Sequence, residues 1–135
     1  MSNSSPLRRV AALVISAVLL LIATGGPDRA ARDAAAAPGV RLIMVEEPGC
    51  RFCRKWDAEI APGYRKSAEG RFAPLKRVRR GARELEGLAP VVFTPTFIVM
   101  RADEEIGRVT GYPGADYFYP ELRPILSVAG FFPGL

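Results

Sequence analysis

The two cysteines of this 135-residue chain stand three positions apart, in Pro48-Gly49-Cys50-Arg51-Phe52-Cys53. An apolar run, Val40 to Val45 broken by Arg41, leads into them, and a segment with helical spacing, Arg54 to Ile60, follows. A strand that delivers a Cys-x-x-Cys pair to the first turn of a helix is the layout that thiol–disulfide exchange needs. The first sulfur then lies exposed at the positive end of the helix dipole, and the second lies one turn inside. Exchange requires a thiolate that attacks a partner disulfide and a second thiol that resolves the mixed disulfide. Arg51, Arg54 and Lys55 would favour the thiolate, whereas Glu46 and Glu47 would oppose it if they lie close.

Two blander readings compete. The first is a permanent structural disulfide, but a loop closed across two intervening residues gains little stability from the closure. The second is a pair of thiolates holding a metal, as in a copper carrier. The chain has no histidine. It therefore lacks the commonest metal ligand and any imidazole-assisted nucleophile, which excludes zinc-hydrolase and Cys-His protease chemistry. No long basic tail or aromatic–basic alternation points to nucleic acid.

The elements that must position the cysteines follow from periodicity. Arg8 and Arg9 precede the uncharged run Val10 to Ala23, which Thr24-Gly25-Gly26-Pro27 ends. Residues 1–25 are thus expected to be a signal peptide or a signal anchor; the run is short for a span of roughly 20 residues, which favours cleavage. Without Arg8 and Arg9 the formal charge of +5 falls to +3. Residues 26–39 read as a linker, 40–129 as the folded domain and 130–135 as a tail whose Phe131-Phe132-Pro133 is apolar enough to pack back. Within the domain, the run at Val40–Val45 suits a strand buried on both faces. Phe52, Trp56 and Ile60 recur every four residues on a helix that Pro62-Gly63 should end or kink. A second strand is expected at Phe72–Val78 and a short helix at Ala82–Leu88. Apolar runs Val91–Phe93 and Phe97–Met100 flank Thr94-Pro95-Thr96. A tight turn at Arg101–Glu104 leads to a strand over Glu105–Thr110. A last helix, interrupted by Pro120 and Pro124, covers Ala115–Ala129, with Tyr112, Tyr117, Phe118 and Tyr119 packing it on the sheet. Lys76 to Arg83 reads as a solvated basic face, or alternatively as a patch that steers an acidic partner.

This order, with Cys50-x-x-Cys53 after the first strand and Thr94-Pro95 before the third, resembles the thioredoxin superfamily. The stretch Glu47 to Cys53, Trp56-Asp57-Ala58-Glu59-Ile60 and the later Gly111-Tyr112-Pro113-Gly114 most resemble the small exported SoxS-like thioredoxins of bacterial sulfur-oxidation operons. The resemblance implies an α/β thioredoxin-like fold, a four-stranded mixed sheet flanked by helices. It also implies an exported thiol–disulfide oxidoreductase that keeps a periplasmic partner protein reduced, with no cofactor beyond the Cys50–Cys53 disulfide. Cys50 matches the nucleophile and Cys53 the resolving cysteine. Pro95 matches a cis-proline facing the disulfide, and Thr94 the residue whose main chain pairs with a substrate strand. Gly49 and Phe52 complete the expected substrate-binding set. Electrons would come from a membrane or exported donor, and the protein would be a monomer, free in the periplasm or tethered to the inner membrane. Copper carriers resemble a different α/β sandwich and do not need Thr94-Pro95.

Three departures bear on direction and substrate. Gly49 replaces a tryptophan, Arg51-Phe52 replaces Gly-Pro, and Met44 replaces a buried acid that serves the resolving thiol. The alternatives are a DsbA- or DsbC-like oxidant or isomerase, and a non-enzymatic, membrane-tethered binding module with a static disulfide.

Overall fold

The computed structural model describes residues 39–133. The expected signal or anchor segment at 1–25, and the linker at 26–39 except Gly39, lie outside the described residues. β1 (Val40–Glu46) is followed by α1 (Arg51–Glu59), two short helices α2 (Ala61–Tyr64) and α3 (Ala68–Phe72), and β2 (Leu75–Arg79). A 3₁₀ turn at Arg83–Leu85, β3 (Thr96–Arg101), β4 (Glu104–Thr110) and α4 (Ala115–Val128) complete the chain. The sheet runs β2-β1-β3-β4, with β1 parallel to β2 and antiparallel to β3, and β3 antiparallel to β4.

β1 is central, so both of its faces must be apolar. Leu42 and Met44 join Phe97 and Val99 on one face, under α1 and α4, where Trp56, Tyr64, Phe118, Leu122 and Leu126 are buried. Ile43 and Val45 join Val78, Ile98 and Met100 on the other, covered by Ala82, Leu85, Leu88 and Val91 from the 3₁₀ connection. The expected four-residue repeat holds for Trp56 and Ile60, which are buried, but not for Phe52, which is exposed; Cys53 takes the inner position of the first turn, and Arg51, Arg54 and Lys55 are exposed. Pro62 opens α2 after the break at Ile60.

The structure corrects several boundaries. Phe72 belongs to α3, not to the second strand: Ser67 caps that helix by accepting the Gly70 N–H at 3.0 Å, and Pro74 delays the strand to Leu75. Val91–Phe93 is loop, with Val92 and Phe93 exposed. The last helix is continuous through both prolines. Pro120 and Pro124 lie one turn apart on the exposed side, where water can satisfy the carbonyls they leave free. Phe118 and Tyr112 pack as expected, but Tyr117 is exposed, one step round the helix from Phe118. Beyond α4, Phe131 is buried against Phe72, with ring centroids 5.2 Å apart.

The connection from α1 to β2 is held by buried polar contacts. The Tyr64 hydroxyl donates to the Ala73 carbonyl at 2.9 Å, and burial pushes its proton affinity well above that of a free phenol. Glu69 accepts the Arg123 Nε–H at 2.7 Å, tying α3 to α4. Burial raises the Glu69 carboxyl, but hydrogen bonds from Arg123 and its own main chain outweigh this, so the carboxyl titrates below the usual range.

Two outcomes follow for this region. A Cβ on Gly70 would lie 1.8 Å from the Tyr64 carbonyl oxygen. Gly70→Ala should therefore lower unfolding stability in urea by more than about 2 kcal/mol. The depressed carboxyl of Glu69 adds stability above the ordinary glutamate value near ~4.3, and this is lost as pH falls through the folded value. Glu69→Gln should thus be less stable than the parent at pH 7, with the gap closing as unfolding is repeated below about pH 4.

Candidate active site

β1 ends at Glu46, and the chain reverses through Glu47-Pro48-Gly49-Cys50, where the Cys50 N–H donates to the Glu47 carbonyl at 3.3 Å. Proline presets the second position of this turn, and Gly49 adopts the φ of 80° that the third position of a type II turn demands. That conformation explains the glycine at 49, because a bulky side chain would be strained there. Cys50 is the N-cap of α1, and its Sγ accepts the Cys53 N–H at 3.1 Å. The two cysteines form a disulfide, S–S 2.14 Å, with Cα atoms 5.3 Å apart. Cys50 is half-buried and Cys53 is buried, so an incoming group meets Cys50 first.

The Thr94–Pro95 peptide is cis, and Pro95 is buried. β3 begins at Thr96, paired with Val45 two residues before Glu47, so the Thr94 loop and the Cys50 turn share one end of the sheet. The Thr94 hydroxyl donates to Glu47 Oε1 at 2.8 Å and ties the two loops together. The main-chain groups of Thr94 have no backbone partner among the described residues. Phe52 is 44% exposed, with the Arg51 guanidinium 4.9 Å from its ring centroid. Phe52, Phe93, Thr94, Gly111 and Tyr112 line a groove of about 340 Å³. The Tyr112 hydroxyl donates to Glu59 Oε2 at 2.6 Å, linking the Gly111–Gly114 loop to the end of α1. Burial, then this carboxylate, raise the Tyr112 phenol above its ordinary value.

The charges were the least visible part of the site in the sequence. Both cysteines line a cleft of about 300 Å³ together with Glu46, Glu47, Arg54, Asp57 and Arg79. Arg77 donates through both Nη atoms to Asp57, at 2.6 and 3.2 Å, and through Nε to Glu46 at 3.1 Å. These bonds, Asp57 first and Glu46 next, raise the guanidinium's proton affinity. Arg80 pairs with Glu47 at 2.9 Å, and Lys76 with Glu84 at 3.1 Å. Lys76–Arg83 is therefore not a plain solvated face, because three of its cations pair with carboxylates and two of these, Arg77 and Arg80, offset the charge of Glu46, Asp57 and Glu47 in the cleft. The signal in sequence was weak: alternation along β2 puts Arg77 and Arg79 on one side and Val78 on the other. Met44 is fully buried in the same cluster as Cys53 and Trp56, so the carboxylates near the disulfide lie in the open cleft and not beneath it. Among the described residues, no cluster of histidine, cysteine or acidic side chains could hold a metal ion.

A thioredoxin-type disulfide on a thioredoxin-type sheet defines the class, and comparison with solved structures agrees. The chain is 48% identical to the periplasmic thioredoxin SoxS from Paracoccus pantotrophus in its reduced form, covering 67% of this chain and 98% of that one with a TM-score of 0.63. It also matches thioredoxin F from spinach chloroplast (long form) at 26% identity, 71% and 74% coverage and a TM-score of 0.45. No protein-family model and no curated protein matches. The chain belongs to the thioredoxin family and is a thiol–disulfide oxidoreductase. No helix among the described residues is long and apolar enough to cross a membrane.

Removing Arg77 would leave Glu46 and Asp57 uncompensated beside the sulfurs and disfavour a thiolate. In Arg77→Ala, alkylation of reduced Cys50 by iodoacetamide at pH 7 should slow severalfold; an unchanged rate would mean that the two carboxylates do not act on Cys50.

Proposed function

We propose that the protein keeps an exported partner protein reduced, cycling Cys50 and Cys53 between dithiol and disulfide with no other cofactor. The observation that carries this reading is the half-exposed Cys50 sulfur at the amino end of α1, beside the unpaired main chain of Thr94. The Cys50 thiolate attacks a partner disulfide; an S–S bond forms to Cys50 as the partner's own S–S bond breaks and one partner thiolate leaves. Cys53 then loses its proton and attacks Cys50, so the mixed disulfide breaks, the second partner thiol departs and the Cys50–Cys53 disulfide remains. The partner is oxidised at the start and leaves with two thiols; the protein ends oxidised and is recharged by an exported or membrane-bound donor.

Each remaining site residue has a part in holding the partner. Thr94 pairs its main chain with an extended segment, Pro95 supports that edge, and Gly49 leaves room above the sulfur. Phe52 meets the partner's side chains. Similarity to a periplasmic thioredoxin supports a periplasmic location; the reading further takes the protein as a monomer, free or tethered at its amino end, with a place in sulfur oxidation.

Trapping tests the reading. Cys53→Ser should accumulate disulfide-linked adducts through Cys50 in a periplasmic extract, and Cys50→Ser should accumulate none. A Cys53→Ser protein that traps nothing would leave a static disulfide as the account of the pair.

A further inference from the structure

The two hollows beside the disulfide lie on opposite sides of it. The cleft over β1 and β2 holds Glu46 and Arg79, at the ends of those strands, whereas the groove over β3 and β4 holds Thr94 and Thr110. A segment crossing Cys50 must therefore place one flank over each. In the cleft every carboxylate has an arginine partner, Glu46 and Asp57 sharing Arg77 and Glu47 taking Arg80, so one negative charge is left over from these pairs. Arg54 and Arg79 are exposed, line the same cleft and have no carboxylate partner among the described residues. Internal pairing thus leaves two guanidiniums without a carboxylate partner lining the cleft, and the cleft with its partners carries a net positive charge. Arginine forks of this kind bind carboxylates in two-point fashion, and unpaired charge at an interface selects the partner of opposite sign.

Resting on the proposed reduction of a protein disulfide, we propose that the partner polypeptide carries acidic side chains on one flank of its reacting cysteine, received by Arg54 and Arg79 in the cleft over β1 and β2. Its other flank lies over the Phe52–Phe93 groove. Free Arg79 and Arg54 orient the partner as well as attract it, because among the described residues the opposite groove is lined by a carboxylate, Glu121, and by no arginine or lysine.

The test uses the reduced full chain and symmetric peptide disulfides that differ only in two residues beside the cysteine, acidic, neutral or basic. Reduced peptide is followed by chromatography. At low salt the acidic peptide should be reduced about tenfold faster than the basic one, and the ratio should fall below about twofold in 0.5 M sodium chloride. Arg54→Glu combined with Arg79→Glu should invert the ratio. Any change in Cys50 reactivity itself moves all peptides together and cancels. A parent ratio near one, or a ratio unchanged in the double variant, overturns the proposal. So does glutathione disulfide reacting as fast as the acidic peptide, which would assign the cleft to a small acidic thiol. Failure to reduce any of the disulfides would instead overturn the exchange reading.

Discussion

The position of the disulfide depends on one buried side chain, Trp56. It lies one turn beyond the cysteines on α1, with no exposed surface, its ring 5.3 Å from Phe97 on β3, 5.8 Å from Phe118 on α4 and 6.1 Å from Tyr64 on α2. Its indole N–H is buried without a hydrogen-bond partner among the described residues. The packing must therefore offset a desolvation cost of about 1–3 kcal/mol as well as ordering the helix, and a side chain of this size in a closed core contributes several kcal/mol. Because Trp56 clamps α1 to the sheet, the first turn of that helix cannot drift. Cys50 is then held at the N-cap and Cys53 beneath it.

Around this fixed point, charge is sorted. Carboxylates near the disulfide are paired with Arg77 of β2 and with Arg80 just beyond it, across the parallel ladder in which Met44 faces Arg77 and Glu46 faces Arg79. The parallel pairing of β1 and β2 brings those cations alongside the catalytic turn, and Glu47 is shared between Arg80 and the hydroxyl of Thr94. One carboxylate so holds the two loops of the site together. Such exposed pairs add little stability each; their consequence here is electrostatic, since they set which charges remain free to meet a partner.

Much of this is legible in the sequence. β1 is readable because a central strand needs continuous apolar sequence, α1 because Trp56 and Ile60 recur on its inner side (Phe52, one step round from Cys53, faces out instead), and the site because two cysteines and Thr94-Pro95 stand at informative places. The misses have physical causes. Phe72 looks like strand sequence, but Ser67 and Pro74 act on the backbone and not on hydrophobic pattern. Pro120 and Pro124 normally end a helix, yet both face water, where the lost hydrogen bonds are replaced. Tyr117 has the same composition signal as Phe118 and differs only by 100° around α4. The Arg77 bridge joins residues 20 and 31 positions apart, and local periodicity carries no information about contacts of that range.

In the proposed function Cys50–Cys53 is a reversible couple that donates electrons to a partner. Its equilibrium redox state in glutathione buffers of graded potential, read from Trp56 fluorescence and checked by thiol trapping, tests this most directly. The account predicts a two-electron titration with a midpoint near the thioredoxin value of about −270 mV. A midpoint near about −120 mV, as for a strong oxidant of the DsbA kind, or a disulfide that does not titrate at all, would contradict it.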